Sequence, residues 1–319
     1  MLTVLLTSSR VAAGLLSWQA WAALREAARV VVPSVDHPQV AALESAGIAV
    51  SAGDFADAAA TAADGKRAVW LAPPDEDFST GEIPARVVHG SSDLPGAHLI
   101  DVVAVMDTLR VSCPWDREQT HSSLLRYLLE EAYEAAEAIE MSDFSAMREE
   151  LGDVLFQAVF HARVASERSA SDGGFTIDDV ADALVAKLKR RHPHVFGAVS
   201  VSSADEVNRN WEEIKKAEKA SRASASGSGP ASVLDAVPFG QPALSLAAQL
   251  QRRAERAGAR SPSDFDGAGT DSSAEADVGE ELMRVVAKAR SAGVDPELAL
   301  REAARRFADQ VRDWEQPHS

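Results

Sequence analysis

The sequence has almost no cysteine and no long apolar run. Cys113 is the single cysteine among 319 residues, so no intramolecular disulfide can form, which indicates a reducing compartment. No apolar run approaches the roughly 18 residues that a helix needs to cross a bilayer. The first apolar run, LTVLL, has no basic residue before it and is shorter than the apolar region of a signal peptide. We therefore expect a cytoplasmic protein that is not embedded in a membrane.

Positive charge is also scarce. Lys and Arg number 32 against 49 Asp and Glu, which gives a formal net charge of −17. Phosphate-rich surfaces would be repelled overall, so the composition argues against broad binding to nucleic acid or to anionic membranes. A small polyanion remains a possible ligand only where metal ions and a local basic cluster neutralise it.

The first 100 residues alternate short β-branched runs with alanine-rich stretches. The β-branched runs are LTVLLTS, RVVVPS, IAVSAG and RAVWLAP. This alternation predicts a small α/β domain over residues 1–100 with a largely parallel sheet. The segment contains neither a G-x-G-x-x-G nor a G-x-x-x-x-G-K-[ST] motif. A packing or assembly role is therefore the simpler interpretation.

Residues 101–220 are helical in pattern. Apolar residues at helical spacing predict three helices, at 123–140, 146–168 and 175–192, and a fourth at 204–220. Asp143 or Ser145 is expected to cap the second helix, and Thr176 the third. The buried side of the first helix is expected to consist of Leu124, Leu125, Leu128, Leu129, Ala132, Ala135, Ala136 and Ile139. That of the second is expected to consist of Leu151, Val154, Leu155, Ala158, Val159 and Ala162. Residues 221–232 have the Gly/Ser composition of a flexible linker, and a further helical region covers 233–319.

Two pairs of acidic residues lie on consecutive helices. Glu131 and Glu134 are three residues apart on the first helix, and Glu150 and Asp153 repeat that spacing on the second. A short connection makes the helices antiparallel neighbours, so the four carboxylates could converge. Inward carboxylates need a cation, and an all-oxygen ligand set suits magnesium or manganese. A di-iron site is disfavoured because the Glu-x-x-His motif is missing. The alternative is a solvated acidic helix face.

A basic cluster follows at the end of the third helix. Lys187 and Arg191 are four residues apart and share a helix face, and Lys189 and Arg190 flank them. Such a cluster could bind phosphate, because Arg offers a fork of donors and Lys a point charge. Trp211 and Lys215 on the fourth helix are again four apart. The alternatives are a basic helix end that complements the helix dipole and a tryptophan in the core.

Five segments together resemble one protein family. CPWDREQTHSSL, LLEEAYE, ELGDVLFQAVFHA, KLKRRHPHVFG and NWEEIKKAEK, in this order, are similar to the MazG family of nucleoside triphosphate pyrophosphohydrolases. The family pattern E-E-x-x-E, a gap and E-x-x-D matches at Glu130, Glu131, Glu134, Glu150 and Asp153. The resemblance is close over residues 105–220 and weaker toward the C-terminus.

The resemblance implies an all-α MazG-type four-helix bundle, dimeric or larger, in which Mg²⁺ (or Mn²⁺ as a substitute) assists cleavage of nucleoside triphosphates to monophosphate and pyrophosphate. It implies metal ligands at Glu131, Glu134, Glu150 and Asp153, and an outer carboxylate or water-orienting base at Glu130. The substrate-binding residues that it implies are Lys187, Lys189, Arg190, Arg191, Trp211 and Lys215.

The chain departs from the family pattern at both ends. Residues 233–319 open like a second MazG copy, but the acidic first helix is replaced by SPSDFDGAGTDSSAEAD, and VGEE stands where E-x-x-D is expected. We interpret this region as a degenerate copy without catalytic activity. Residues 1–100 resemble a shortened remnant of a tetrapyrrole methylase-like domain. The function expected is removal of damaged or surplus nucleoside triphosphates. The alternative is a non-catalytic helical module that senses nucleotides or binds a partner.

Overall fold

The computed structural model describes most of the chain in two compact units. The described residues are 1–76, 78–203, 206–207, 209–211, 213–214, 217–218, 232–235, 237–259 and 273–315. The first unit comprises residues 1–188 and the second 189–319. The linker at 221–232, apart from Ser232, lies outside the described residues. Within the described ranges no helix combines the length and hydropathy required for a bilayer crossing.

The N-terminal part of the first unit is a parallel sheet of five strands. The strands are β1 (Leu2–Leu6), β2 (Arg29–Val32), β3 (Val50–Ala52), β4 (Ala68–Leu71) and β5 (Arg86–His89). Their order is β3-β2-β4-β1-β5, and every neighbouring pair is parallel. The predicted parallel sheet is therefore confirmed. The sequence pattern had indicated only the first four strands.

Helices cover both faces of this sheet. They are α1 (Trp18–Glu26), α2 (Val40–Ser45) and α3 (Phe55–Ala63). Leu5 and Val32 face α1 and α2, whereas the adjacent strand residues Val4 and Val31 face α3. Successive side chains of a strand point to opposite faces, so strands covered on both sides are apolar throughout.

Arg10 joins the sheet to the first helix of the following helical region, α4 (His98–Ser112). Its guanidinium lies beyond the carboxyl end of β1 and contacts Asp75 at 2.9 Å, Asp93 at 2.7 Å and Asp101 of α4 at 2.6 Å. Only 10% of the Arg10 side chain is exposed. The pKa of Asp101 is lowered, chiefly by its hydrogen bond to Arg10. This ion network fixes the start of α4 at the edge of the sheet.

The helical region continues through α5 (Pro114–Glu118), α6 (His121–Met141), α7 (Phe144–Ala165), α8 (Ile177–Arg191) and α9 (Pro193–Phe196). A side-chain oxygen of Asp143 accepts from the first backbone N–H groups of α7, so the predicted cap is confirmed. Thr176 and Asp179 cap α8 reciprocally. The fourth predicted helix is only partly described, and its described residues between 206 and 218 are helical. The mainly helical fold with a small N-terminal sheet is confirmed.

The core of the hairpin formed by α6 and α7 is narrower than the apolar pattern indicated. Met106 of α4, Leu124 of α6, and Val159 and Phe160 of α7 form its buried cluster. Several residues expected to be buried are exposed: Leu125, Leu129, Ala132, Ile139, Leu151, Leu155 and Ala158. That expectation was wrong for the single chain. The faces that α6 and α7 bury against each other and against α4 are narrower than the apolar stripes of the two helices.

Among the described residues of the second unit are the long helices α10 (Ala243–Arg256), α11 (Ala274–Ser291) and α12 (Pro296–Glu315). Buried Gln251 of α10 donates to the backbone oxygen of Met283 at 2.8 Å and accepts from Arg290 at 3.2 Å. Arg290 also contacts Glu255 at 2.6 Å. Polar contacts therefore join α10 to α11.

Candidate functional site

The α6–α7 hairpin brings the predicted acidic residues together. Both helices are long and have an N-cap, and only residues 142 and 143 separate them. Ser142 adopts a left-handed conformation with φ of 56° and ends α6, so the chain reverses at once into α7. The pair on α6 and the pair on α7 consequently lie on neighbouring helices.

Three carboxylates converge closely. One oxygen each from Glu131, Glu150 and Asp153 lie within 4.8 Å of one another. Glu131 and Glu150 are half-buried, and Asp153 is exposed. Two oxygens bound to one magnesium ion at about 2.0–2.1 Å lie at most about 4.2 Å apart. Small side-chain rotations therefore bring all three carboxylates within reach of one cation.

The pKa shifts of Glu131 and Glu150 show that neighbouring carboxylates interact with them. Partial burial, followed by Asp153 and Glu134, raises the pKa of Glu131 above its usual value. Burial also raises the pKa of Glu150, followed by Glu134 and Asp153. Glu134 contributes to the raised pKa of both Glu131 and Glu150, so its carboxylate lies close to each of them. All four predicted metal-site residues therefore belong to one electrostatic cluster.

Glu130 and Glu149 lie at the margin of this cluster. Both are exposed. Glu130 makes a minor contribution to the shift of Glu131, and Glu149 contributes similarly to that of Glu150. The sequence interpretation had not included Glu149, although its position before Glu150 repeats the Glu130–Glu131 doublet and could have indicated it.

The donor set of the cluster suits a hard cation. Its ligand atoms are carboxylate oxygens alone, with no histidine or cysteine in the group of three. Mutually repelling carboxylates with raised pKa values gain stability when a divalent cation binds between them. The arrangement can therefore hold a metal ion of the oxygen-preferring class.

The predicted phosphate-binding residues fall into both units. Lys187 belongs to the first unit and is exposed; Lys189, Arg190 and Arg191 belong to the second. Lys215 lies outside the described residues. Trp211 is half-buried, and the guanidinium carbon of Arg191 is 5.7 Å from the centre of its ring.

Glu218 binds both arginines, and this contact was not predicted. Arg190 Nε donates to Glu218 Oε1 at 2.6 Å, and Arg191 Nη2 donates to Oε2 at 2.7 Å. Hydrogen bonds from Arg191 and then Arg190 lower the pKa of Glu218 to about 2. No local spacing signals this contact, because 27 residues separate Arg191 from Glu218.

Comparison with known proteins gives the family. A family model described as the MazG nucleotide pyrophosphohydrolase domain matches residues 119–196. The chain is 40% identical over 231 residues to a Thermotoga maritima protein named nucleoside triphosphate pyrophosphohydrolase/pyrophosphatase MazG, and the match covers 68% of this chain and 85% of that protein. The chain belongs to the MazG family. The family match includes α6 and α7, and so all four acidic residues of the MazG-type hairpin.

Two further relatives of this MazG chain are similar over comparable lengths. A Streptomyces cacaoi protein, named only as an uncharacterized 26.1 kDa protein, is 47% identical over 223 residues, which cover 70% of this chain and 85% of that protein. A nucleoside triphosphate pyrophosphohydrolase of Mycolicibacterium smegmatis is 44% identical over 230 residues, which cover 72% of this chain. The match spans 63% of that mycobacterial protein's length.

Proposed function

We propose that the protein hydrolyses nucleoside triphosphates to nucleoside monophosphates and pyrophosphate with the help of Mg²⁺. The observation that carries this proposal is the convergence of Glu131, Glu150 and Asp153 within 4.8 Å in a chain of the MazG family. The names of the Thermotoga and Mycolicibacterium relatives support the reaction type.

The metal ligands that we propose are Glu131, Glu134, Glu150 and Asp153. Their all-oxygen donor set fits Mg²⁺, with Mn²⁺ as a substitute. When bound, such an ion neutralises phosphate charge and acidifies a coordinated water. Glu134 belongs with the other three because its negative charge helps to raise the pKa of both Glu131 and Glu150.

Glu130 is the residue that we propose to orient the attacking water. Its side chain is exposed next to Glu131, so it is accessible to solvent. A carboxylate that does not bind the metal can accept a proton from a water in the site. This role requires hydrogen-bond reach to the water and no contact with the ion.

The substrate-binding residues that we propose are Lys187, Lys189, Arg190, Arg191, Trp211 and Lys215. Arg191 and Trp211 lie near each other in the second unit, which supports a shared role in nucleotide binding. Guanidinium groups bind phosphate oxygens through paired N–H donors, and an indole face can stack on a base or a cation.

We propose a homodimer as the active assembly. Exposed apolar side chains along α6 and α7 support this assembly; they include Leu125, Leu129, Ile139, Leu151 and Leu155. An apolar surface of this kind is commonly covered by another protein surface. A second copy of the same hairpin would complete a four-helix bundle.

The domain roles follow from the same proposal. We assign catalysis to residues 101–220, a supporting role to the α/β domain at 1–100, and a packing role to the degenerate copy at 233–319, which follows a linker at 221–232. In that copy Glu280 and Glu281 pair with Arg284 of their own helix at 3.1 and 2.6 Å, so the two carboxylates share one guanidinium. The biological task that we propose is removal of damaged or surplus (d)NTPs in the cytoplasm, without nucleic-acid binding.

Pyrophosphate release from a panel of nucleoside triphosphates tests the reaction. We expect release that depends on Mg²⁺ and falls on the order of 10²-fold or more in Glu131→Gln. Glu137→Gln is the matched control, because Glu137 is exposed on the same helix and lies outside the group of converging carboxylates. Equal losses in both variants would contradict the site. Tight nucleotide binding without any product would instead identify a nucleotide-sensing module.

A further inference from the structure

We propose that the Glu218 carboxylate is an internal occupant of an anion site formed by Arg190 and Arg191, and that substrate phosphate displaces it. This inference rests on the proposed function, which assigns both arginines to the phosphates. Glu218 thereby sets the affinity of the site for every anion that has to displace it.

The contacts of Glu218 imitate those of a bound phosphate. Oε1 accepts from Arg190 Nε at 2.6 Å, Oε2 accepts from Arg191 Nη2 at 2.7 Å, and Arg191 Nε lies 3.5 Å from Oε1. Both carboxylate oxygens are therefore used, and two guanidinium groups share one anion. Arginine binds carboxylates and phosphates with the same paired N–H geometry, so either anion can fill this place.

The exposure of the three side chains leaves a route for exchange. The side chains of Glu218 and Arg191 are 14% and 19% exposed, whereas that of Arg190 is 48% exposed. An incoming anion can contact Arg190 from solvent before Glu218 leaves. Two guanidinium charges against one carboxylate leave one positive charge, which still attracts a more highly charged competitor.

Trp211 keeps Arg191 in place during such an exchange. The Arg191 guanidinium carbon lies 5.7 Å from the centre of the Trp211 ring, a distance at which a cation is attracted by the ring face. Arg191 therefore retains a contact when Glu218 moves away. The site is preorganised for a second anion, and the preference among anions depends on their charge.

Weaker binding of every phosphate ligand follows from this competition. An anion must supply more favourable contacts than the tethered carboxylate, whose effective concentration is high because it is part of the same chain. Displacement of Glu218 costs the same free energy for a triphosphate and for a monophosphate product, so Glu218 weakens the binding of both by the same factor. The weaker binding of the monophosphate favours release of the product.

Steady-state pyrophosphate release by the full chain tests the competition. We expect Glu218→Gln to lower KM about threefold to tenfold with kcat little changed, since the arginines lose a partly buried, charged competitor for the substrate phosphates. Inhibition by the nucleoside monophosphate is expected to strengthen by about the same factor, because it too must displace Glu218. Glu218→Asp, which keeps the charge, is expected to stay close to the parent. Glu255→Gln is the matched control, because it removes a carboxylate paired with Arg290 at 2.6 Å in the same unit.

Two further comparisons make the result decisive. When Arg190 and Arg191 are both replaced by Ala, Glu218→Gln is expected to have no further effect on KM, because no guanidinium is left for Glu218 to occupy. Glu218→Ala provides a second variant if Glu218→Gln folds poorly by circular dichroism. A KM that is unchanged or raised in the Glu218 variants would overturn the inference while leaving the proposed function intact.

Binding of inorganic tripolyphosphate, measured by calorimetry on the full chain without metal, separates the two proposals. If the parent releases no pyrophosphate, the proposed function fails. The calorimetry then still decides the present inference, which requires a lower Kd in Glu218→Gln than in the parent and is refuted by an equal or higher one.

Discussion

Glu131 is expected to destabilise the metal-free protein. Glu131→Gln removes one charge from three carboxylates whose oxygens lie within 4.8 Å and keeps the shape of the side chain. Because partial burial, and then Asp153 and Glu134, raise the pKa of Glu131, its charged form is less favourable in the folded chain than in the unfolded one. We therefore expect this substitution to raise the metal-free Tm at neutral pH.

The pH dependence of this effect has a definite sign. The folded-state pKa of Glu131 lies above its usual value of 4.5, so the folded state holds the proton more tightly. The destabilisation is absent below about pH 4.5 and grows as pH rises through the raised pKa. The Tm difference between Glu131→Gln and the parent should therefore be small in acid and reach a plateau near neutrality.

Magnesium is expected to act in the opposite direction. At a concentration of 100 times Kd, a ligand that binds only the folded state stabilises it by about 2.7 kcal/mol. A tenfold loss of affinity in Glu131→Gln would reduce this to about 1.4 kcal/mol. For a unit of 188 residues these values correspond to Tm increases of about 5–10 °C and about half of that.

Differential scanning calorimetry with EDTA or MgCl₂, repeated between acid and neutral pH, measures both effects. Glu137→Gln serves as the control for loss of an exposed carboxylate from the same helix. The reasoning would be refuted if Glu131→Gln lowered the metal-free Tm at neutral pH and kept the full response to magnesium.

Two predictions concern the hairpin core and the ion network of Arg10. Phe160 is fully buried in the hairpin core, so Phe160→Ala should cost about 3–5 kcal/mol in urea unfolding; a loss below about 1 kcal/mol would contradict the core assignment. Arg10→Met should lower the Tm, whereas Arg67→Met, which breaks an exposed pair, should hardly change it. Because Arg10 lowers the pKa of Asp101 from 3.8, the difference between Arg10→Met and the parent should shrink as pH falls below about 3.8; a constant difference would argue against the ion network.

The acidic hairpin could be predicted from sequence because its determinants are local. A three-residue spacing places two carboxylates on one helix face, and a two-residue connection makes the helices neighbours. These two facts suffice to bring Glu131 near Glu150 and Asp153. The first four strands were equally accessible, since each is a β-branched run. The fifth, RVVH, is a short edge strand in which only Val88 is buried, so its apolar signal is weak.

The remaining features depend on tertiary contacts that spacing does not encode. The apolar stripes of α6 and α7 indicated which residues avoid water but not which surface covers them, so Leu125 and Leu151 were wrongly expected to be buried within one chain. Glu218 was missed for a related reason. It reads as an ordinary surface glutamate until the chain brings it to Arg190 and Arg191.

The short connection between α6 and α7 also affects how the protein folds. Glu131 is 19 residues before Glu150 and 22 before Asp153, so the carboxylates meet as soon as this hairpin closes. Elements with local contacts form early and quickly. The charge repulsion is therefore encountered on the way to the native state as well as in it. We expect a divalent cation to speed folding of the chain, because it relieves a local repulsion that arises before the rest of the core is assembled.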